Sequence, residues 1–322
     1  MSDKRPYKTR NSIIDLLRVA LTVLVINTHI KIIIGAGTNL LEPYSWYTVP
    51  LFIILSFFLF DSKSIFTRIK RLFLPLIFWS TAGFIIHLNL LNAKNIFLQV
   101  LTGHVVNTPL YYLILLFWFT VISRLISRFS LRFKVLIYSL LILACLFFEY
   151  SRLNYGFFLS QSEVIKKSYG RFIELIKYVP VGLAFALLKK KINNSNVFLL
   201  LSVILLPVFI IVSRIPQPLD FHFSGLKILT GSIIIFSLML GLSDFKLNNK
   251  LSNIINTFGK YSFGVYLSHY LLLETMLIFF PSLKFLIVVN QFVFLFCFIM
   301  FCYVFCYLFD LLTWKKLSYL VK

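Results

Sequence analysis

Charge is scarce in this chain, and charge of one sign is nearly missing. Only 13% of the 322 residues are charged, and Asp and Glu supply 11 of them against 32 Lys and Arg. A soluble domain of this length needs a far more polar surface, so a soluble fold is excluded. Cysteine is rare too. Cys145, Cys297, Cys302 and Cys306 all lie in apolar runs with neither metal nor disulfide spacing, which leaves them as small hydrophobes and predicts no bound metal. No small-residue cleavage site follows the first apolar run, so the polar, basic start "MSDKRPYKTRNS" precedes a permanent span and not a removable signal. No repeat, low-complexity tract or soluble domain interrupts the series of apolar runs.

What the chain has instead is apolar length. Hydrophobic residues make up 59% of it, and Phe alone accounts for 37. Several runs reach about 20 residues, enough for a helix to cross a hydrocarbon core of roughly 30 Å. The segments 12–34, 47–61, 72–91, 110–127, 135–150, 178–190, 197–213, 225–243, 261–280 and 285–309 read as helices. The expected fold class is all-α: a polytopic membrane protein with about ten transmembrane helices, residues 1–322 forming one membrane-embedded domain. Segments 47–61 and 178–190 are short, and Pro50 and Pro180 mark either extension into their flanks or irregular starts.

A net charge of +21 raises nucleic acid as a partner, and its distribution argues against one. With the N-terminus inside, the cytoplasmic ends hold Lys4, Arg5, Lys8 and Arg10, then Lys63, Arg68, Lys70 and Arg71, then Arg124, Arg128, Arg132 and Lys134. Lys189, Lys190 and Lys191 come next, succeeded by Lys246, Lys250, Lys260, Lys315, Lys316 and Lys322. Most of the basic excess thus sets topology and attracts anionic lipid headgroups, with both termini in the cytoplasm. The long 151–177 loop falls outside. Its Phe, Tyr, Leu and Ile content predicts packing back onto the membrane domain, where it would shape an acceptor site or cover helix ends.

Within the spans the charge-capable groups are Arg18, His29, His269 and Glu274, with Lys31 near an outer end. Each costs on the order of 3 kcal/mol at mid-bilayer, so each is a functional candidate, although Arg18 and Lys31 have the reach to snorkel to the interfaces. His29 comes eleven positions after Arg18, which at roughly 100° per residue is three turns plus about 20°. The two therefore share a face, about 16 Å apart along the axis. Asp15, three residues before Arg18, is placed to pair with it.

These residues carry a resemblance. "DLLRVALTVLVINTH" resembles the first helix of the acyltransferase 3 membrane family, whose signature is an arginine, ten intervening residues and a histidine, as Arg18 and His29 stand here. "VPLFIILSFFLF" is similar to the second-helix segment that usually reads Phe-Phe-x-x-Ser-Gly, with Ser56 at the serine. "RIKRLFLP" offers Arg68-x-x-Arg71 and Pro75, similar to the family's double-arginine motif. "GKYSFGVYLSHY" resembles the late Tyr-Ser-x-x-x-Tyr-Leu-x-His segment, ending at His269. Four motifs in order span nearly the whole chain. Two features depart from the pattern: Phe52-Ile53 stands for the double Phe, and Phe57 fills the space of a glycine. There is also no attached hydrolase-like domain.

The resemblance implies a ten-helix enzyme of the bacterial inner (plasma) membrane that moves an acyl group, commonly acetyl from acetyl-CoA, to a hydroxyl of a cell-surface glycan or lipid-linked sugar. Arg68 and Arg71 would then grip the phosphates of the coenzyme, as planar guanidinium forks do; the alternative is an ordinary positive-inside cluster. Arg18, deeper, would meet the pantetheine or thioester end. His29 would act as general base on the acceptor hydroxyl, or carry the acyl group as an acyl-imidazole. Ser56 would donate a hydrogen bond or only pack helices, and His269 would line the cavity. Glu274 would accept a proton or pair with Arg18 or Lys31. His87, His104 and His222 read as interfacial or solvated. Two other classes stay open, a polysaccharide exporter or flippase and a proton-coupled transporter using His29 and Glu274; the lack of an internal repeat counts against both.

Overall fold

The computed structural model describes residues 11–34, 41–61, 65–86, 110–155, 171–192, 194–214, 225–313 and 317–321. Its helices are α1 (Ser12–Ile34), α2 (Glu42–Ser45), α3 (Thr48–Phe58), α4 (Ile65–Ile86), α5 (Tyr111–Ile126), α6 (Leu131–Tyr155) and α7 (Tyr178–Lys191), then α8 (Asn196–Ser213), α9 (Gly225–Gly241), α10 (Asn249–Phe279), α11 (Leu283–Val289) and α12 (Gln291–Leu312), with a closing 3₁₀ turn at Ser318–Leu320. Residues 171–176 are also helical. No strand occurs among the described residues. The fold is all-helical, as the unbroken apolar runs require.

Local chemistry fixes several starts. Asn11 opens α1, its side-chain oxygen accepting from the backbone N–H of Ile13 (3.0 Å) and Ile14 (3.2 Å). Asn248 does the same for Lys250 at the head of α10 and Asn290 for Val293 at the head of α12. These satisfy donors that no helical carbonyl reaches.

Every sequence-predicted segment is helical where described, but the bounds differ in instructive ways. The third segment begins at Ile65, not 72, so Arg68, Lys70 and Arg71 lie inside helical turns. The ninth begins at Asn249, not 261, and its 31 residues run about 46 Å, well beyond a hydrocarbon core of roughly 30 Å. The last is broken at Asn290 into α11 and α12. Helix α3 is preceded by the single turn α2, which starts with Pro43 in its first turn, so the short second segment does extend into its N-terminal flank. Among the described residues, five helices are long and apolar enough to cross a membrane: Ser12–Lys31, Leu131–Glu149, Asn196–Ser213, Asn249–Phe279 and Gln291–Leu312. Residues 1–10, 62–64, 87–109, 156–170, 215–224 and 314–316, and with them His87, His104, His222 and most of the predicted outer loop, lie outside the described residues.

Two of those five form the centre. Half of the apolar stretch of α1 and 61% of that of α10 are buried, against 6% for α6 and 17% for α8. Helices α6, α8 and α12 present rows of bare Leu, Ile, Val and Phe, such as Leu143, Phe147, Ile211 and Phe296. Exposed apolar area of that extent is unfavourable in water and natural against lipid.

The centre is a parallel pair. Ser12 Oγ lies 2.5 Å from Ser252 Oγ, Thr22 Oγ1 lies 3.4 Å from Ser262 O, and the His29 ring meets that of His269. Asp15, Thr22 and His29 recur every seven residues, the spacing at which two nearly parallel helices keep meeting. Gly259 allows the close approach at the lower end: a Cβ there would stand 2.5 Å from Asp15 Cβ.

Candidate active site between two parallel helices

Helix α1 delivers His29 to the seam with α10, where its ring centroid lies 5.1 Å from His269 and 5.2 Å from Tyr270. His269 is fully buried. Its Nδ1 lies 2.7 Å from the carbonyl of Tyr266 and 3.2 Å from that of Val265. Carbonyls only accept, so Nδ1 carries the proton and Nε2 presents a lone pair. That Nε2 and the Nδ1 of His29 are both buried and take no hydrogen-bond partner among the described residues. Two imidazoles with spare ring nitrogens thus share one buried seam. Polar atoms so placed cost free energy unless something else uses them.

Aromatic rings extend the seam. Tyr266 lies 6.0 Å from His269, 5.4 Å from Tyr112 and 5.5 Å from Phe52, so α10, α5 and α3 converge beside the histidines. Phe52 belongs to one of the two departures from the family motif, and it packs against both tyrosines. The neighbouring Tyr111 carries the Arg171 guanidinium 4.4 Å above its ring. Arg171 belongs to the end of the segment predicted to pack back on the membrane domain, and its described end does so.

The other sequence-predicted residues divide into separate groups. Asp15 is buried and holds Arg18 by an ion pair of 2.9 Å, as the spacing predicts. That pair turns the guanidinium toward the start of α1, so Arg18 and His29 share a helix face but are not brought together. Arg18 stays about a third exposed. Arg68 is committed to its neighbours: Nε donates to Thr120 Oγ1 (3.0 Å), Nη1 to Ser56 O (2.9 Å) and Nη2 to Ser56 Oγ (2.9 Å). The rings of Phe57 and Phe60 lie 4.8 and 5.0 Å from it. One side chain therefore ties α3, α4 and α5 together, and Ser56 is its acceptor. Arg71, three residues on, is exposed. Glu274, on α10 beyond His269, is half-buried, as is Lys31 on α1; each has partners.

Sequence reasoning missed Tyr266, Tyr112, Thr120, Gly259 and Arg171. Gly259 opens the segment "GKYSFGVYLSHY" and Tyr266 is the second tyrosine of its motif; a role is read there for His269 alone, although the resemblance carries a signal for Tyr266 too. Tyr112 and Thr120 had none, because two polar residues in a span of Leu, Ile and Phe read as packing.

No curated protein and no solved structure matches the chain. A family profile described as "Acyltransferase domain" matches residues 11–311, nearly the whole length and all four motif segments. The chain belongs to the acyltransferase 3 family.

Proposed function

We propose that this membrane acyltransferase is an O-acyltransferase, moving an acetyl group from cytoplasmic acetyl-CoA to a hydroxyl of an extracytoplasmic or lipid-linked polysaccharide. The observation that carries this reading is the pair of imidazoles, half-buried His29 and fully buried His269, each with a buried, unpartnered ring nitrogen, between the two central helices of an acyltransferase-family chain. His29 takes the proton of the acceptor hydroxyl. The oxygen attacks the thioester carbonyl, a C–O bond forms, the C–S bond breaks, and the proton returns to the departing thiolate. His269 positions His29 from α10, its Nε2 available to accept from the His29 ring once that ring is protonated. Such proton transfer contributes on the order of 10²–10⁴-fold in rate.

The donor enters from the basic ends, which the positive-inside bias assigns to the cytoplasm. Arg71 is exposed there and takes a phosphate. Arg68 has five N–H groups, of which three are committed to Ser56 and Thr120, leaving two for the donor. Arg18 faces the same end from α1. The acceptor sits by Tyr111 and Arg171, where an aromatic face and a guanidinium suit a sugar ring.

The test is incubation of purified protein with radiolabelled acetyl-CoA and acceptor glycan. Label should appear on the glycan with the wild type and not with His29→Ala. Glycan movement across vesicles without label transfer would instead establish a conduit.

A further inference from the structure

The end of α5, the start of α6 and the end of α7 together carry a basic collar of Arg124, Arg128, Arg132, Lys134, Lys189, Lys190 and Lys191. A cavity of about 530 Å³ opens between these helices. Its polar groups are segregated. Lys134, Lys190 and Ser127 line it at the collar, with Ser123 one turn back along α5 and Tyr138 and Ser139 one turn further along α6. Beyond them the walls are apolar, reaching Ile142 on α6 and Val181 on α7. From Lys134 to Ile142 is about 12 Å along the helix, and from Lys190 back to Val181 about 14 Å. A slot with two cations at its head and an apolar bore close to half a hydrocarbon core in length has the shape of one lipid within one leaflet.

The lysines are available for such a ligand. Lys189 is engaged, its Nζ 3.3 Å from Ser243 Oγ and near the Phe198 ring. Lys134 and Lys190 make no side-chain hydrogen bond or ion pair among the described residues. Helix α6, which forms one wall, is the least buried of the long apolar helices, so the slot is reached sideways from the bilayer.

We propose that this slot binds an anionic phospholipid, its phosphate held by Lys134 and Lys190 and one acyl chain lying along the wall between α6 and α7. Basic pockets between membrane helices at a cytoplasmic surface select such headgroups. A soluble nucleotide-bearing donor fits less well, because beyond Ser123, Tyr138 and Ser139 the bore offers its polar pantetheine arm no polar side chain. The slot borders the proposed donor side, because Phe60 lines it and its ring lies 5.0 Å from the Arg68 guanidinium, but the lipid assignment does not depend on the transfer chemistry.

The experiment is native mass spectrometry of the protein released from phosphatidylcholine nanodiscs that contain a minor fraction of phosphatidylglycerol. The wild type should retain phosphatidylglycerol in preference to phosphatidylcholine. At roughly a factor of five per lysine, Lys134→Gln with Lys190→Gln should cut that preference about 25-fold. Lys134→Arg with Lys190→Arg should keep it, and Lys246→Gln with Lys250→Gln, away from the slot, should leave it unchanged. Ala184→Trp, which fills the bore from α7, should expel the lipid with both lysines in place. Equal retention of the two lipids by the wild type would overturn the proposal. So would full retention by the Lys134→Gln, Lys190→Gln protein, or displacement of the lipid by coenzyme A, which would make the slot a donor site.

Discussion

Gly259→Ala is the smallest change that should separate the two central helices. The added Cβ would stand 2.5 Å from Asp15 Cβ, 2.7 Å from its Cγ and 2.9 Å from its Oδ1. An ordinary contact needs 3.4 Å or more, so the helices must part by about 0.9 Å (3.4 less 2.5). Asp15 cannot swing aside to make room, because the nearest atom is the root of its side chain and its carboxylate is held by Arg18. Overpacking of this kind costs about 1–3 kcal/mol. The larger effect is on geometry: a shift near 1 Å passed along parallel helices to His29 and His269 is of the size that lowers catalysis about a hundredfold. The assay is acyl transfer per folded molecule in detergent, with thermal unfolding measured alongside. Gly264→Ala is the control. Its Cβ would meet Val321 in the C-terminal segment at 2.5 Å, so it should destabilise the chain without a comparable loss of turnover. Wild-type turnover in Gly259→Ala would refute the claim that the tight α1–α10 contact sets the site.

The same contacts lead to further expectations. His269→Phe keeps a ring in the seam but removes the Nε2 acceptor, and should lower transfer at least tenfold with little change in unfolding temperature. Arg68→Lys gives up the fork that bonds Ser56 and Thr120 and should cost about 2–4 kcal/mol of stability, whereas Arg71→Ala should leave unfolding unchanged and raise the KM for donor. Lys177 is fully buried and bonds Glu149, which also accepts from the backbone N–H of Gly225 at 3.0 Å. Lys177→Met alone strands that carboxylate and should destabilise by about 3–5 kcal/mol, and adding Glu149→Leu should recover part of the loss in a thermal-unfolding series.

The all-helical fold and the positions of the apolar segments were legible because each is a local property of composition. So was the Asp15–Arg18 pair, since a spacing of three brings two side chains together on any helix. His29 was legible as a candidate. Its partnership with His269 was not: the two are 240 positions apart, and their contact depends on α1 and α10 running parallel, which no local pattern encodes. The polar start of α10 was missed because Lys250, Asn253, Asn256 and Lys260 interrupt the apolar signal, although nothing in them breaks a helix. The bracing role of Arg68 was hidden for a related reason. A loop arginine would be free to grip a ligand, but an arginine in the first turns of α4 is aimed at its helical neighbours.

The central claim is that His29 does chemistry rather than packing. The most direct measurement is acyl incorporation into the native glycan by cells expressing wild type, His29→Ala, and His29→Ala with Ile30→His at matched levels. Moving the imidazole by one residue swings it about 100° off the seam with His269, so incorporation should be lost in both variants while expression holds. Near-normal incorporation by His29→Ala would show that the imidazole pair is structural and would contradict the account.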